Sequence, residues 1–195
     1  MGNLILVRHG ESAGNRDRIF ALDPHSLPLT DLGYAQARAA ARAIASDFDA
    51  QVVISSPFVR ARETARTIGE TLQLPVTVEP NLYERDVGAH KGLSYDSLEG
   101  AADYDARRPW AWTPHEGESY LQVQARVAPI LDRLAAEHPS QDVVIVSHGG
   151  VMMTLWAYVT GDWKTAPIAP NCGLMVVAHG PKGYSAPQVI DNAAS

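Results

Sequence analysis

Four short stretches of the chain are apolar at consecutive positions rather than at alternating ones: residues 4–7, 52–54, 143–146 and 174–177. Strands of that kind suit a parallel sheet covered on both faces. A shorter run spans residues 76–78. Between these runs the periodicity is helical. Thr30 can cap a helix to about residue 46. Ser56-Pro57 reads as a cap followed by a first-turn proline, opening a helix to about residue 72. Glu118 or Ser119 opens a longer helix to about residue 138, with Leu121, Val127, Ile130, Leu131 and Leu134 as its apolar stripe and Pro129 as a kink point. Gly150 starts the last helix, to about residue 159. Strand and helix alternate, which predicts an α/β protein: a three-layer sandwich with a mainly parallel central sheet and helices on both faces.

Residues 83–117 break this rhythm. They are rich in Tyr, Trp, Arg, Gly and Pro and have weak periodicity, and so predict an excursion from the sheet that forms a lid or a pocket wall. The tail after Gly180 is polar and is expected to be loosely held. At 195 residues the chain fits a single domain over 1–195, large enough to need no disulfide or metal staple. A 46% hydrophobic content excludes global disorder. The net charge of -6 gives no overall field attracting nucleic acid or anionic membrane. The single cysteine, Cys172, excludes a disulfide framework and is expected to be a buried, inert thiol. No apolar run reaches membrane-span length, and Arg8 follows the first apolar run too soon for a signal peptide. The expectation is a soluble cytoplasmic protein.

The chemistry concentrates at two strand ends, Val7-Arg8-His9-Gly10 and Val146-Ser147-His148-Gly149-Gly150. In open α/β sheets ligands bind at the carboxyl ends of strands, so two histidines placed there can face one cleft. The glycine after each allows a sharp turn and a close approach of ligand. A third strand end leads to Arg60 and Arg62, and arginine offers a planar fork of donors that matches phosphate. Two histidines and several arginines make an anion pocket, with phosphate as the expected anion. Taken singly, Arg60 and Arg62 read better as a solvated helix face, with Glu63 and Glu70 as partners. Glu84 is the candidate proton donor, with Asp86 competing. His9, His148 and Glu84 could instead hold zinc, but Arg8 and Arg60 would repel a cation and no H-E-x-x-H helix is present.

Leu6-Val7-Arg8-His9-Gly10-Glu11-Ser12 resembles the signature of the histidine phosphatase superfamily, which includes the cofactor-dependent phosphoglycerate mutases. The resemblance extends in order along most of the chain. It takes in Asn15, the block from Pro28 to Ala37 with Gly33 and Gln36, Ser55-Ser56-Pro57 with Arg60 and Thr64, then Glu84 with Gly88 and Gly92, Gly117-Glu118-Ser119, and Ser147-His148-Gly149-Gly150. It implies a phosphoglycerate mutase-like fold and a mechanism without metal or other cofactor. His9 becomes phosphorylated, Arg8, Asn15, Arg60 and His148 hold the phosphoryl oxygens, and Glu84 donates and then accepts the proton. Glu11 is read as structural.

Phosphatase and mutase divide on further positions. The chain lacks the added mutase segment, and where the mutases carry a tyrosine and a lysine after the acid it has Val87 and Tyr95. Arg85 and the pair Arg107-Arg108 resemble mutase residues and are candidates for substrate binding, with Trp110 and Trp112 as an apolar wall. Tyr83 and Tyr95 are read as packing, and His25, His90, His115, His138 and His179 as solvated. The expected activity is that of a phosphomonoesterase acting on a small phosphorylated metabolite, with a phosphoglycerate mutase and a non-catalytic phosphate-binding module as alternatives. The expected partner is the small-molecule phosphomonoester, with no nucleic acid and no membrane; the oligomeric state is not legible.

Overall fold

The computed structural model describes residues 1–23 and 25–191. The apolar runs become strands β1 (Gly2–Arg8), β2 (Ala50–Ser55), β3 (Val76–Val78), β4 (Asp142–Ser147) and β5 (Leu174–Gly180), followed by β6 (Gly183–Tyr184) and β7 (Gln188–Ile190). The sheet order is β3-β2-β4-β1-β5-β6, with β7 also paired to β5. The four strands from β3 to β1 are parallel; β5 runs antiparallel to β1, and β6 and β7 antiparallel to β5. The tail beyond Gly180 therefore belongs to the sheet as far as Ile190, because β5 offers it an unpaired edge. Its last residues, 192–195, lie outside the described residues.

The helices are α1 (Ala13–Asp17), α2 (Asp31–Asp47), α3 (Val59–Leu72), α4 (Tyr120–Glu137) and α5 (Gly149–Thr160). Successive side chains of a strand point to opposite faces, so a strand that is apolar throughout needs cover on both. Leu4 and Leu6 pack with Val127, Leu131 and Leu134 of α4 and Met152 and Leu155 of α5. Ile5 and Val7 pack with Ile44 of α2 and Ala61, Ala65 and Ile68 of α3. This is the three-layer arrangement that the run pattern predicts.

Two helix details differ from expectation. The third helix begins at Val59, capped by Phe58, and not at Ser56-Pro57. Ser56 extends the β2–β4 pairing through its N–H to the Val146 carbonyl, and its hydroxyl is engaged by His148. Leu121 is 40% exposed. It lies two positions before Val123, which is on the buried stripe, and two positions of helix turn a side chain to the far face. Pro129 sits exposed within α4, which runs unbroken from a Ser119–Gln122 capping box.

The turn after β1 is held by backbone packed directly on backbone. A Cβ on Gly10 would meet the Gly33 carbonyl, and one on Gly33 would meet the backbone of Glu11. Gly10 thus serves the approach of α2, and not the approach of ligand. Glu11 secures the same contact, its carboxylate accepting from the Thr30 hydroxyl at 2.8 Å and its N–H donating to Gln36 Oε1 at 2.8 Å. Gly33→Ala is expected to destabilise the protein by about 1–3 kcal/mol, the usual cost of overpacking, read as a lower urea midpoint with an unchanged slope. A variant as stable as wild type would contradict this packing.

Candidate active site

The chain after β1 passes to α2 on one face of the sheet, and the chain after β4 passes to α5 on the other. β1 and β4 are neighbours, with Arg8 opposite Ser147. Their carboxyl ends are therefore the place where an open α/β sheet forms a crevice. His9 and His148 follow these two ends. The His9 N–H donates to the Ser147 carbonyl at 2.9 Å, and the two imidazoles meet edge to face with centroids 5.1 Å apart.

His9 is held as a neutral ring of one tautomer. Its Nδ1 lies 2.7 Å from the Gly10 carbonyl, which can only accept, so Nδ1 carries the proton. Nε2 keeps its lone pair and accepts from Arg60 Nε at 3.1 Å. The imidazole pKa lies well below its ordinary value: burial is the main cause, and Arg60 and Arg8 add to it. His148 is buried completely, and burial followed by Arg60, His9 and Arg8 lowers its pKa in the same direction. Its Nε2 is 2.7 Å from Ser56 Oγ, while its Nδ1 is buried without a hydrogen bond among the described residues.

Arg60 stands in the first turn of α3 and is 8% exposed. Arg62, two positions on, is exposed and faces away. Arg8 donates through Nη1 to the Ala169 carbonyl at 2.7 Å, and its Nε is buried without a partner among the described residues. Burial works against the charge of both guanidiniums, and the Glu84 carboxylate partly offsets this. Glu84 Oε1 accepts from the Arg85 N–H at 2.8 Å and Oε2 from the Gly150 N–H at 3.0 Å, one of the free donors at the start of α5. A Cβ on Gly150 would collide with this carboxylate, which explains the second glycine of the His-Gly-Gly triplet.

Arg8, His9, Asn15, Arg60, Glu84 and Arg85 line one cleft of about 320 Å³; His148 does not line it, but its ring packs on those of His9 and Phe58, which do. The remaining predicted residues divide. Arg85 is held by the Glu118 carbonyl at 2.6 Å and the Trp112 carbonyl at 3.2 Å, and lies over the Tyr120 ring. Arg107 and Arg108 are exposed in a run of turns and do not line the cleft, so the structure does not bring them to substrate. Trp112 is buried against Arg85, and Trp110 stacks on Trp163; neither forms the expected wall. Asp86 is paired with Lys91 at 2.7 Å.

Sequence reasoning missed two contacts. The Tyr95 hydroxyl accepts from Asn15 Nδ2 at 3.2 Å on the cleft wall, at the position where the resemblance places a mutase lysine. Asn171 Nδ2 donates to the His9 carbonyl at 3.0 Å and lies 3.3 Å from Asn15 Oδ1. The backbone turns left-handed at the next residue, Cys172, φ 57°, a conformation that a non-glycine residue does not announce in the sequence. The Cys172 thiol is buried and its pKa is pushed up to about 12, as befits an inert thiol. His179, expected in solvent, is instead buried on β5. Among the described residues no group of three or more His, Cys, Asp or Glu is arranged to hold a metal, and no helix is long and apolar enough to cross a membrane.

The family model for the histidine phosphatase superfamily (branch 1) matches residues 4–192. This chain belongs to that superfamily. Its sequence is 34% identical over 169 residues to glucosyl-3-phosphoglycerate phosphatase of Mycobacterium tuberculosis, covering 79% of this chain and 73% of that protein. It is 32% identical over 169 residues to a metal-independent phosphoserine phosphatase of Arabidopsis thaliana, covering 80% of this chain and 68% of that one. The structure of a mycobacterial glucosyl-3-phosphoglycerate phosphatase complexed with VO3 superposes with a TM-score of 0.85 at 27% identity, over 97% of this chain and 98% of the other. The alpha-ribazole phosphatase of Shigella flexneri superposes with a TM-score of 0.81 at 27% identity, over 99% and 98% of the two chains.

A pH dependence of stability follows from the buried rings. His9 and His148 stay neutral in the folded protein, whereas in the unfolded chain they protonate near pH 6.5. Below that pH the unfolded state binds more protons, so stability falls by up to about 1.4 kcal/mol per pH unit for each ring. The urea midpoint is expected to hold steady above pH 7 and to drop between pH 6.5 and 5. A flat profile would argue against neutral buried imidazoles.

Proposed function

We propose that this member of the superfamily is a phosphomonoesterase that hydrolyses a small phosphorylated metabolite through a phosphohistidine at His9 Nε2. The observation that carries this reading is the Arg60–His9 contact. A buried imidazole presents its lone pair, not its proton, to a cleft that also contains the buried Arg60 and the half-buried Arg8. A substrate phosphoryl group brings negative charge to guanidiniums whose own charge burial disfavours. Arg60 then turns from Nε2 to the phosphoryl oxygens and uncovers the nucleophile.

In the first step the Nε2 lone pair forms a bond to phosphorus as the ester P–O bond breaks. Glu84 enters this step protonated and gives that proton to the departing oxygen, becoming the carboxylate. In the second step water attacks the phosphohistidine, Glu84 takes the proton, and phosphate leaves with the imidazole restored. Arg8, Arg60, Asn15 and His148 stabilise charge on the transferring group, a role fixed in place before the reaction. Tyr95 and Asn171 hold Asn15 and the His9 backbone. The segment 83–117 supplies Glu84 and one wall of the site. A mutase is disfavoured because Arg107 and Arg108 stay outside the cleft and Arg85 is tied to backbone carbonyls.

Acid-labile phosphate label on quenched enzyme, absent in His9→Ala, is the expected result; an acid-stable phosphoester would move the nucleophile to a hydroxyl. In single-turnover phosphorylation, Glu84→Gln is expected to slow alkyl phosphates by about 10²–10⁴-fold, the usual range for a general acid. It should slow p-nitrophenyl phosphate far less, because nitrophenolate leaves without a proton. Equal slowing of both would transfer the acid role to Asp86. EDTA is expected to leave turnover unchanged.

A further inference from the structure

Beyond its phosphate end the cleft changes character. Residues 18–21 and 92–95 run side by side along one wall, pinned by Phe20 N–H to the Leu93 carbonyl at 2.9 Å, Gly92 N–H to the Phe20 carbonyl at 2.9 Å and Tyr95 N–H to the Arg18 carbonyl at 3.0 Å. This wall presents Ile19 and Phe20, and Leu27, Phe58, Leu98 and Ile168 continue the apolar surround. Two cations besides Arg8 and Arg60 line the cleft, and both are engaged. Arg85 donates to the Glu118 and Trp112 carbonyls, and Lys91 is paired with Asp86, which also accepts from the Gly88 N–H.

We infer that the cleft selects phosphomonoesters whose leaving group is uncharged and apolar, about the size of one aromatic ring, over esters whose leaving group carries a carboxylate or a second phosphate. This inference rests on the phosphatase reading. A second anionic group placed against Ile19, Phe20 and Leu98 loses its hydration and meets no cation that lacks a partner among the described residues, which is unfavourable. An apolar group in the same place gains by leaving water. The cleft volume, about 320 Å³, is at the low end for small-molecule sites, and the phosphoryl group takes part of it. Room remains for a small ring and little more.

The test compares kcat/KM for benzyl phosphate, glycerol 1-phosphate and 3-phosphoglycerate. All three have primary-alcohol leaving groups, so differences in bond cleavage are small and recognition dominates. Benzyl phosphate is expected to exceed 3-phosphoglycerate by roughly 10–100-fold, the discrimination that pocket contacts usually provide, with the glycerol ester between them. If 3-phosphoglycerate or the glycerol ester matches or beats the benzyl ester, the inference falls and the phosphatase reading stands. If no ester releases phosphate and His9 takes no label, the phosphatase reading itself falls and the inference with it. A second measurement isolates the ion pair. Asp86→Asn keeps the shape of the side chain but frees Lys91, and should shift the ratio of the two rates toward 3-phosphoglycerate by about tenfold, within the same range. An unshifted ratio would overturn the charge argument.

Discussion

The site depends on the parallel pairing of β1 with β4 in a register that sets Arg8 against Ser147. A slip of one residue would turn every side chain of β1 to the opposite face. The register is pinned at both ends of β1: Asn3 donates through its N–H and its side-chain amide to Asp142 Oδ1, and the His9 N–H donates to the Ser147 carbonyl. With the register fixed, the next residue of each strand is a histidine, and the two rings meet without either strand deforming. The helices that follow depart to opposite faces, which opens the crevice between them.

Two positive guanidiniums and two neutral imidazoles share this crevice, and burial disfavours charge on all four. Glu84 is the carboxylate that offsets the arginines. The folded protein therefore holds an arrangement whose electrostatics improve when a phosphoryl group arrives. The same environment keeps the His9 ring neutral, since a buried imidazole beside two arginines resists protonation. Stability and reactivity draw on one set of interactions, and each backbone contact around the site protects both. Gly10 and Gly33 keep the His9 turn close to α2, and Gly150 leaves space for the Glu84 carboxylate.

The far half of the cleft obeys a different rule. Its charges are matched internally, Lys91 with Asp86, and its side chains are mostly apolar. Guanidiniums at the phosphate end and a mostly apolar surround beyond it divide the labour between holding phosphate and choosing the leaving group. Such a division lets one scaffold serve esters of different shape by changing residues far from His9.

The α/β class, the strand runs and the places of Arg8, His9, Arg60 and His148 are legible along the chain, because each is tied to a local pattern: an apolar run that ends in His-Gly, or an arginine in the first turn of a helix; Glu84 stands out from Asp86 only through the ordered family resemblance. Only the tertiary structure decided what surrounds them. Tyr95 and Asn171 reach the site from residues far along the chain, and no local spacing announces a contact such as that between Asn171 and His9, 162 positions apart. Arg107 and Arg108 have the right chemistry for a phosphate ligand, yet their turns leave them in solvent. Arg85, next to Glu84, is drawn to the Glu118 and Trp112 carbonyls. The tail pairs with β5 because that strand has a free edge, a property of the assembled sheet and not of the tail's own composition. Periodicity reports which face of an element is buried; which partner buries it depends on how all the elements pack.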